Sequence, residues 1–228
     1  IDEAVHASIV DGSAIARCRL LRFRHNDYQE LDSILSQTKS VMVMVEGLYS
    51  NDGDISPLPE IRDVCARHGV RLALDDAHGL GVLGATGRGT EEHHSCIGAA
   101  DIIAGTFSKS LASIGGWIAG DHEIIEYVRY HGRTVLFTAA LSPPMLAAAS
   151  TALDRPELVH LVGRDAGQVR YDLRRLGVTV TGQHGPVIRI PIGSDRQCVR
   201  LSSELLRRGI FVHTVLYPSV PKDEAMIR

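Results

Sequence analysis

Three short apolar runs, Val41 to Val45, Val70 to Leu74 and Ala100 to Ala104, constrain this chain more than any other feature. Each is nearly continuous in Val, Ile, Leu, Met and Ala, the pattern of a strand covered on both faces and therefore of a parallel sheet. Between the first two, Ser56 is placed to cap a helix with Pro57 at its first position. Leu58, Ile61, Val64 and Cys65 then form one apolar stripe, and Gly69 ends it. A strand, a short amphipathic helix and another strand predict an α/β fold with a mostly parallel sheet. Trp117 to Ala119, after Gly115-Gly116, reads as a further strand. Ligands collect at the carboxyl ends of strands in such sheets, where Glu46, Asp75, His78 and Lys109 fall.

Asp121 is placed to cap a helix reaching about Tyr130, and Pro143-Pro144 opens an alanine-rich helix to about Leu153. From Pro156 the texture changes. A long arginine-bearing helix runs to Gly177, Val178 to Val180 and Val187 to Ile192 read as strands, a helix spans Asp195 to Arg208, and Ile210 to Leu216 reads as another strand. The expectation is a large domain over 1–154 and a smaller α/β domain over 155–228.

The 228 residues are 44% hydrophobic and 22% charged, enough to bury a sizeable core. A net charge of −3, with arginines interleaved among apolar residues, provides no field for nucleic acid. No apolar run reaches the length of a membrane span. Cys18, Cys65, Cys96 and Cys198 are scattered without a C-x-x-C pair, as expected of reduced thiols in the cytoplasm. The first residue is Ile1 rather than Met, which suggests a fragment of a longer chain.

Lys109 stands in the hydroxyl-rich turn Thr106-Phe107-Ser108-Lys109-Ser110, at the mouth of the third apolar run. With Asp75 and His78 at the end of another strand, it has the elements of a Schiff-base site for pyridoxal phosphate. Asp75 is suited to keep a pyridinium nitrogen protonated, His78 to bond a phenolic oxygen, and the hydroxyls of Thr106, Ser108 and Ser110 to bond a phosphate. Other readings compete. Asp75 and Asp76 could simply end a strand, and His78 could join His93, His94 and the aspartates around a metal, although the spacing fits no recurring zinc pattern. Gly79-Leu80-Gly81-Val82-Leu83-Gly84 matches the dinucleotide fingerprint, but the loop continues through Gly87-Arg88-Gly89 where a helix should start. Gly105 to Ser110 lacks the G-K-[ST] step of a P-loop.

A broader pattern joins these residues. His6-Ala7-Ser8-Ile9-Val10-Asp11-Gly12, Arg22-Phe23-Arg24-His25-Asn26-Asp27, Glu46-Gly47-Leu48-Tyr49-Ser50 through Gly53-Asp54, Asp75-Asp76-Ala77-His78-Gly79, Gly87-Arg88-Gly89, Gly105-Thr106-Phe107-Ser108-Lys109 and Tyr217-Pro218-Ser219-Val220-Pro221 occur in order along the chain. Together they resemble the α-oxoamine synthases, pyridoxal-phosphate enzymes of the fold-type I aminotransferase superfamily. The lysine turn through Ser113 is most similar to serine palmitoyltransferase-type members, and Asp75 to Gly79 is also usual in 8-amino-7-oxononanoate synthases.

The resemblance implies a fold-type I large domain and an acyltransferase that condenses an amino acid with an acyl-CoA or other acyl thioester, with loss of carbon dioxide, to an α-amino ketone. It implies that Lys109 is the Schiff-base lysine, that Asp75 meets the pyridine nitrogen and that His78 meets the ring oxygen. His6 would stack on the ring, Ser50 would bond near the phenolic oxygen, and Thr106 and Thr138 would sit by the phosphate, Thr138 in the partner subunit's site of a homodimer. Ser219 and Arg228 would meet the substrate, Arg228 at the carboxylate. It also implies that N-terminal helices, a Gly-rich phosphate loop and the final helices lie outside this stretch. A fold-type I aminotransferase would use the same lysine and aspartate, and a non-catalytic subunit of a heteromeric synthase would be expected to lack the lysine.

Overall fold

A computed structural model describes residues 1–182 and 184–228. By contacts they group into two compact units, Ile1–Tyr49 with Ile55–His160, and Ser50–Asp54 with Leu161–Arg228.

The first unit begins with helices α1 (Ala7–Ile15) and α2 (Tyr28–Gln37), which are additional to the elements expected from sequence. Strand β1 (Met42–Glu46), helix α3 (Leu58–His68), strand β2 (Arg71–Asp75), the short helix α4 (Thr90–His93) and strand β3 (Ile102–Thr106) follow. β1, β2 and β3 are parallel neighbours, with Glu46 opposite Asp75 and Asp75 opposite Ala104. Strand β4 (Gly116–Gly120) returns antiparallel to β3, so the sheet order is β1-β2-β3-β4. Helices α5 (His122–His131), α6 (Arg133–Leu136) and α7 (Pro143–Leu153) come next, and α8 (Glu157–Arg175) runs on into the residues of the second unit.

The expected apolar stripe of α3 is real. Leu58, Ile61, Val64 and Cys65 are all buried, packed with Leu31, Leu35, Val43, Val45, Leu72 and Leu74. Alternation along β1 sends Val43 and Val45 into this core and Met44 toward a separate cluster of Val5, Ile9 and Tyr49 beside α1. The helix opens one residue later than the sequence suggests, with Pro57 rather than Ser56 at the cap, because Leu58 is its first helical residue. Gly69 closes it in the left-handed conformation at φ 63°, which costs a glycine little.

The second unit contains strand β5 (Ile190–Gly193), helix α9 (Asp195–Arg207), strand β6 (Thr214–Val215) and strand β7 (Ala225–Ile227). The sheet order is β5-β7-β6, antiparallel throughout. Three strand expectations need correction here. Val178 to Val180 forms no strand, and among the described residues the pairing nearby is the isolated bridge Thr181 to Arg189. Val187 to Ile192 contracts to β5. Ile210 to Leu216 contracts to two residues, since Ile210 and Phe211 stand exposed and only Thr214 and Val215 find the β7 ladder. The central strand β7 is just three apolar residues behind a charged turn, too short to show a period.

A buried arginine organises this unit. Arg170 is 8% exposed; its Nε donates to Gly182 O at 2.8 Å and its Nη2 to the carbonyls of Gly185, Val187 and His184 at 2.6, 2.9 and 3.1 Å. Arg170→Met should destabilise the unit by about 3 kcal/mol, because it strands several carbonyls that one charged fork now satisfies. The measurable result is faster hydrogen exchange at Thr181 and Arg189, whose amides bond each other's carbonyls. Arg170→Lys should recover only part of the protection, since an ammonium lacks the planar fork.

Candidate active site

The three parallel strands end together, and their carboxyl ends form the floor of a cavity of about 310 Å³. It is lined by His6, Ser8, Glu46, Asp75, Ala77, His78, Ala104, Gly105, Thr106 and Lys109. Of the residues expected from sequence, His6, Asp75, His78, Thr106 and Lys109 are thus brought to one place, all within the first unit.

Each arrives by a local cause. His6 precedes α1 as its N-cap, and its Nδ1 lies 2.8 Å from Ser8 Oγ. Its backbone N–H donates to the carboxylate of Glu46, a 2% exposed residue at the end of β1. Asp75 ends β2, and its Oδ1 accepts the Ala77 N–H at 3.0 Å, which turns the chain toward His78. Lys109 sits in the loop joining β3 to β4. That loop is closed by Phe107 N–H to Gly115 O at 2.9 Å and Ser113 N–H to Phe107 O at 2.8 Å. Ser110 Oγ donates to Leu80 O at 2.6 Å, which ties the lysine loop to the histidine loop. Thr106 Oγ1 donates to Gly115 O at 3.0 Å and lies 2.8 Å from Ser108 Oγ.

The other expected residues are not among those lining the cavity. Ser108 does not line the cavity but touches Thr106, which does. Thr138 is exposed beyond α6. Ser50, Ser219 and Arg228 belong to the second unit, where Arg228 Nη1 donates to Ser50 O at 2.6 Å and Ser219 is exposed. Two further polar residues line the cavity: Glu46, to which the sequence assigns a place at a strand mouth but no role, and Ser8, two residues beyond His6, which no pattern singles out.

The signature run Arg22 to Asp27 proves to hold the frame rather than the cavity. The carboxylate of Asp2, fully buried, accepts from Asn26 N–H at 2.7 Å and Ala4 N–H at 2.8 Å, with His25 Nδ1 at 3.0 Å. Burial pushes this carboxyl up, but those bonds outweigh it and hold Asp2 below the usual range. Asp27 caps α2 by accepting the Glu30 N–H at 2.9 Å. Burial, with the Asp2 carboxylate nearby, pushes the Tyr49 phenol above its ordinary range. The His25 ring meets Tyr49 edge-on at 4.4 Å.

Gly79 to Gly84 forms turns, and α4 starts only at Thr90, so this glycine run does not itself open a helix as a dinucleotide fingerprint would require. His94, weighed as a metal ligand, bonds Ser56 O through Nε2 at 2.9 Å.

A lysine, a carboxylate, an imidazole and a hydroxyl at the ends of three parallel strands define a class, and the comparisons agree with it. The model of the aminotransferase class I and II family matches residues 1–228, and the chain belongs to that family. It is 34% identical to serine palmitoyltransferase of Sphingobacterium spiritivorum, over 100% of this chain and 59% of that protein. It is likewise 34% identical to 8-amino-7-oxononanoate synthase of Thermoanaerobacter pseudethanolicus, over 100% of this chain and 60% of that protein. Its fold superposes with a TM-score of 0.94 on a serine palmitoyltransferase variant from S. paucimobilis with a bound PLP–myriocin aldimine, at 30% identity, covering 100% of this chain and 59% of that one. The chain therefore spans about three-fifths of the length of the relatives it matches. The fold is that of the fold-type I enzymes, as the resemblance implies. Among the described residues no helix is long and apolar enough to cross a membrane.

Proposed function

We propose that this protein is a pyridoxal-phosphate-dependent acyltransferase that joins an amino acid to an acyl-CoA, or another acyl thioester, with loss of carbon dioxide, giving an α-amino ketone. The supporting observation is the convergence of Lys109, Asp75, His78, His6 and Thr106 on one cavity. Its volume of about 310 Å³ lies in the range of small-molecule sites. The donor set also fits the cofactor: an amine, a carboxylate for the ring nitrogen, an imidazole for the ring oxygen, a flat ring for stacking and a hydroxyl for phosphate.

Bound there, pyridoxal phosphate would supply a carbonyl for Lys109 and an electron sink for the bond broken at the amino acid's Cα. The chain's own residues do the rest. Asp75 keeps the proton on the ring nitrogen, and His78 and Ser50 serve the ring oxygen. Lys109 would take the amino acid's Cα proton on Nζ, while His6 would hold the ring face and orient the amino acid. Thr106 and Ser108 sit by the phosphate, Thr138 serves the partner subunit's site in a homodimer, and Ser219 and Arg228 bind the substrate, Arg228 at its carboxylate. The division into a cofactor-binding domain over 1–154 and a smaller domain over 155–228 belongs to the same proposal. A cytoplasmic location is supported by Cys18, Cys65, Cys96 and Cys198, all free thiols.

The test is to incubate full-length protein with a panel of amino acids and acyl-CoAs, serine with palmitoyl-CoA among them, and weigh the product by mass spectrometry. An amino ketone with release of carbon dioxide is expected. Amino transfer to an α-keto acid without a condensed product would replace this reading with an aminotransferase, and no turnover with any pair would favour a non-catalytic subunit.

A further inference from the structure

Gly87-Arg88-Gly89 belongs to the sequence signature, yet none of these residues lines the cavity. The reason lies one residue beyond Asp75. Asp76 is 3% exposed, and its two carboxylate oxygens are taken by one residue: Thr90 Oγ1 donates to Oδ1 at 2.6 Å and Thr90 N–H to Oδ2 at 2.9 Å. Thr90 is itself fully buried. The Asp76 main chain is held as firmly, its N–H on Ala104 O at 2.8 Å and its carbonyl accepting from Gly79 and Leu80 at 3.1 and 3.0 Å.

Three glycines from separate stretches press bare backbone against this pair. A Cβ on Gly79 would fall 2.0 Å from Asp76 Oδ1, one on Gly89 1.8 Å from Oδ2, and one on Gly47 2.0 Å from Thr90 Oγ1. Burial pushes the Asp76 carboxyl up and the Thr90 bonds pull it back, leaving it above the usual range. Such a group is costly to bury, and the fold retains it where two cavity residues, Asp75 and His78, lie one and two positions away.

We propose that Asp76 and Thr90 are a positioning pair for cofactor binding: by locking the main chain between Asp75 and His78 to the Gly89–Thr90 turn, they aim both side chains into the cavity. Neither residue touches the cofactor in this scheme. The proposal rests on the pyridoxal-phosphate reading above.

It is tested on full-length apoprotein and holoenzyme with Thr90→Val, Thr90→Ser and Asp76→Asn. The readouts are the pyridoxal phosphate Kd by absorbance titration, the pH midpoint of the bound chromophore's visible band, and the thermal midpoint of the apoprotein. Thr90→Val should raise Kd on the order of tenfold or more, comparable with losing an orienting partner behind a metal ligand, and should displace the pH midpoint. Asp76→Asn should do the same, and Thr90→Ser should hold both near wild type because the hydroxyl remains. If Thr90→Val lowers the apoprotein's thermal midpoint but binds with wild-type Kd and pH midpoint, the pair is structural only and the proposal fails. It fails equally if Thr90→Ser is as impaired as Thr90→Val, or if Asp76→Asn unfolds while Thr90→Val binds normally. A wild-type protein that takes up no pyridoxal phosphate would instead overturn the cofactor reading, and this inference with it.

Discussion

Lys109→Ala should give a protein that folds but carries no borohydride-reducible yellow chromophore, with turnover down by roughly 10⁴-fold or more, since one side chain is removed as both nucleophile and base. The expectation is sharp because the chain has only three lysines, Lys39, Lys109 and Lys222, and only Lys109 lines the cavity. Its loop should survive the change: the bonds that close it run through the backbone of Phe107, Ser113 and Gly115, and Ser110 still reaches Leu80. Borohydride reduction followed by peptide mass spectrometry reads the result directly. A reduced adduct on Lys39 or Lys222 in the variant would show that the assignment of Lys109 is wrong.

Asp75→Asn should separate chemistry from structure. The amide oxygen can still accept the Ala77 N–H now held by Oδ1 at 3.0 Å, so the turn toward His78 is kept and the thermal midpoint should move by only a few degrees. What is lost is the negative charge at the end of β2. Without it nothing at that position favours a proton on the ring nitrogen, and kcat should fall on the order of 10²- to 10³-fold, the scale of removing one preorganised electrostatic partner. Wild-type kcat in Asp75→Asn would mean that the ring nitrogen has another partner.

Much of the site was legible because parallel strands are read twice over. An apolar run identifies the strand, and the next polar residue identifies its mouth, which is how Glu46, Asp75 and Thr106 come to share one cavity. What could not be read was contact between loops. Asp76 and Thr90 are fourteen residues apart on either side of a glycine-rich turn, and no period links them. The buried carboxylate of Asp2 likewise gives no sign in the sequence that His25 and Asn26 enclose it. In the second unit the failure was different in kind. Its strands are two to four residues long, and their pairing depends on a partner, β7, that carries no signal of its own.

The makeup of that second unit has a consequence for synthesis. Five of its residues, Ser50–Asp54, are drawn from early in the chain. Asp52 pairs with Arg189 at 2.6 Å across 137 residues of sequence, and Ser50 O meets Arg228 across 178. At ribosomal rates of about 5–20 residues per second, the early segment waits on the order of ten seconds for these partners to be made. The entropy of closing so long a loop rises only slowly with length, about 0.6 kcal/mol per doubling, so the delay is a matter of time rather than of stability. The second unit thus cannot be completed until after the first has been translated.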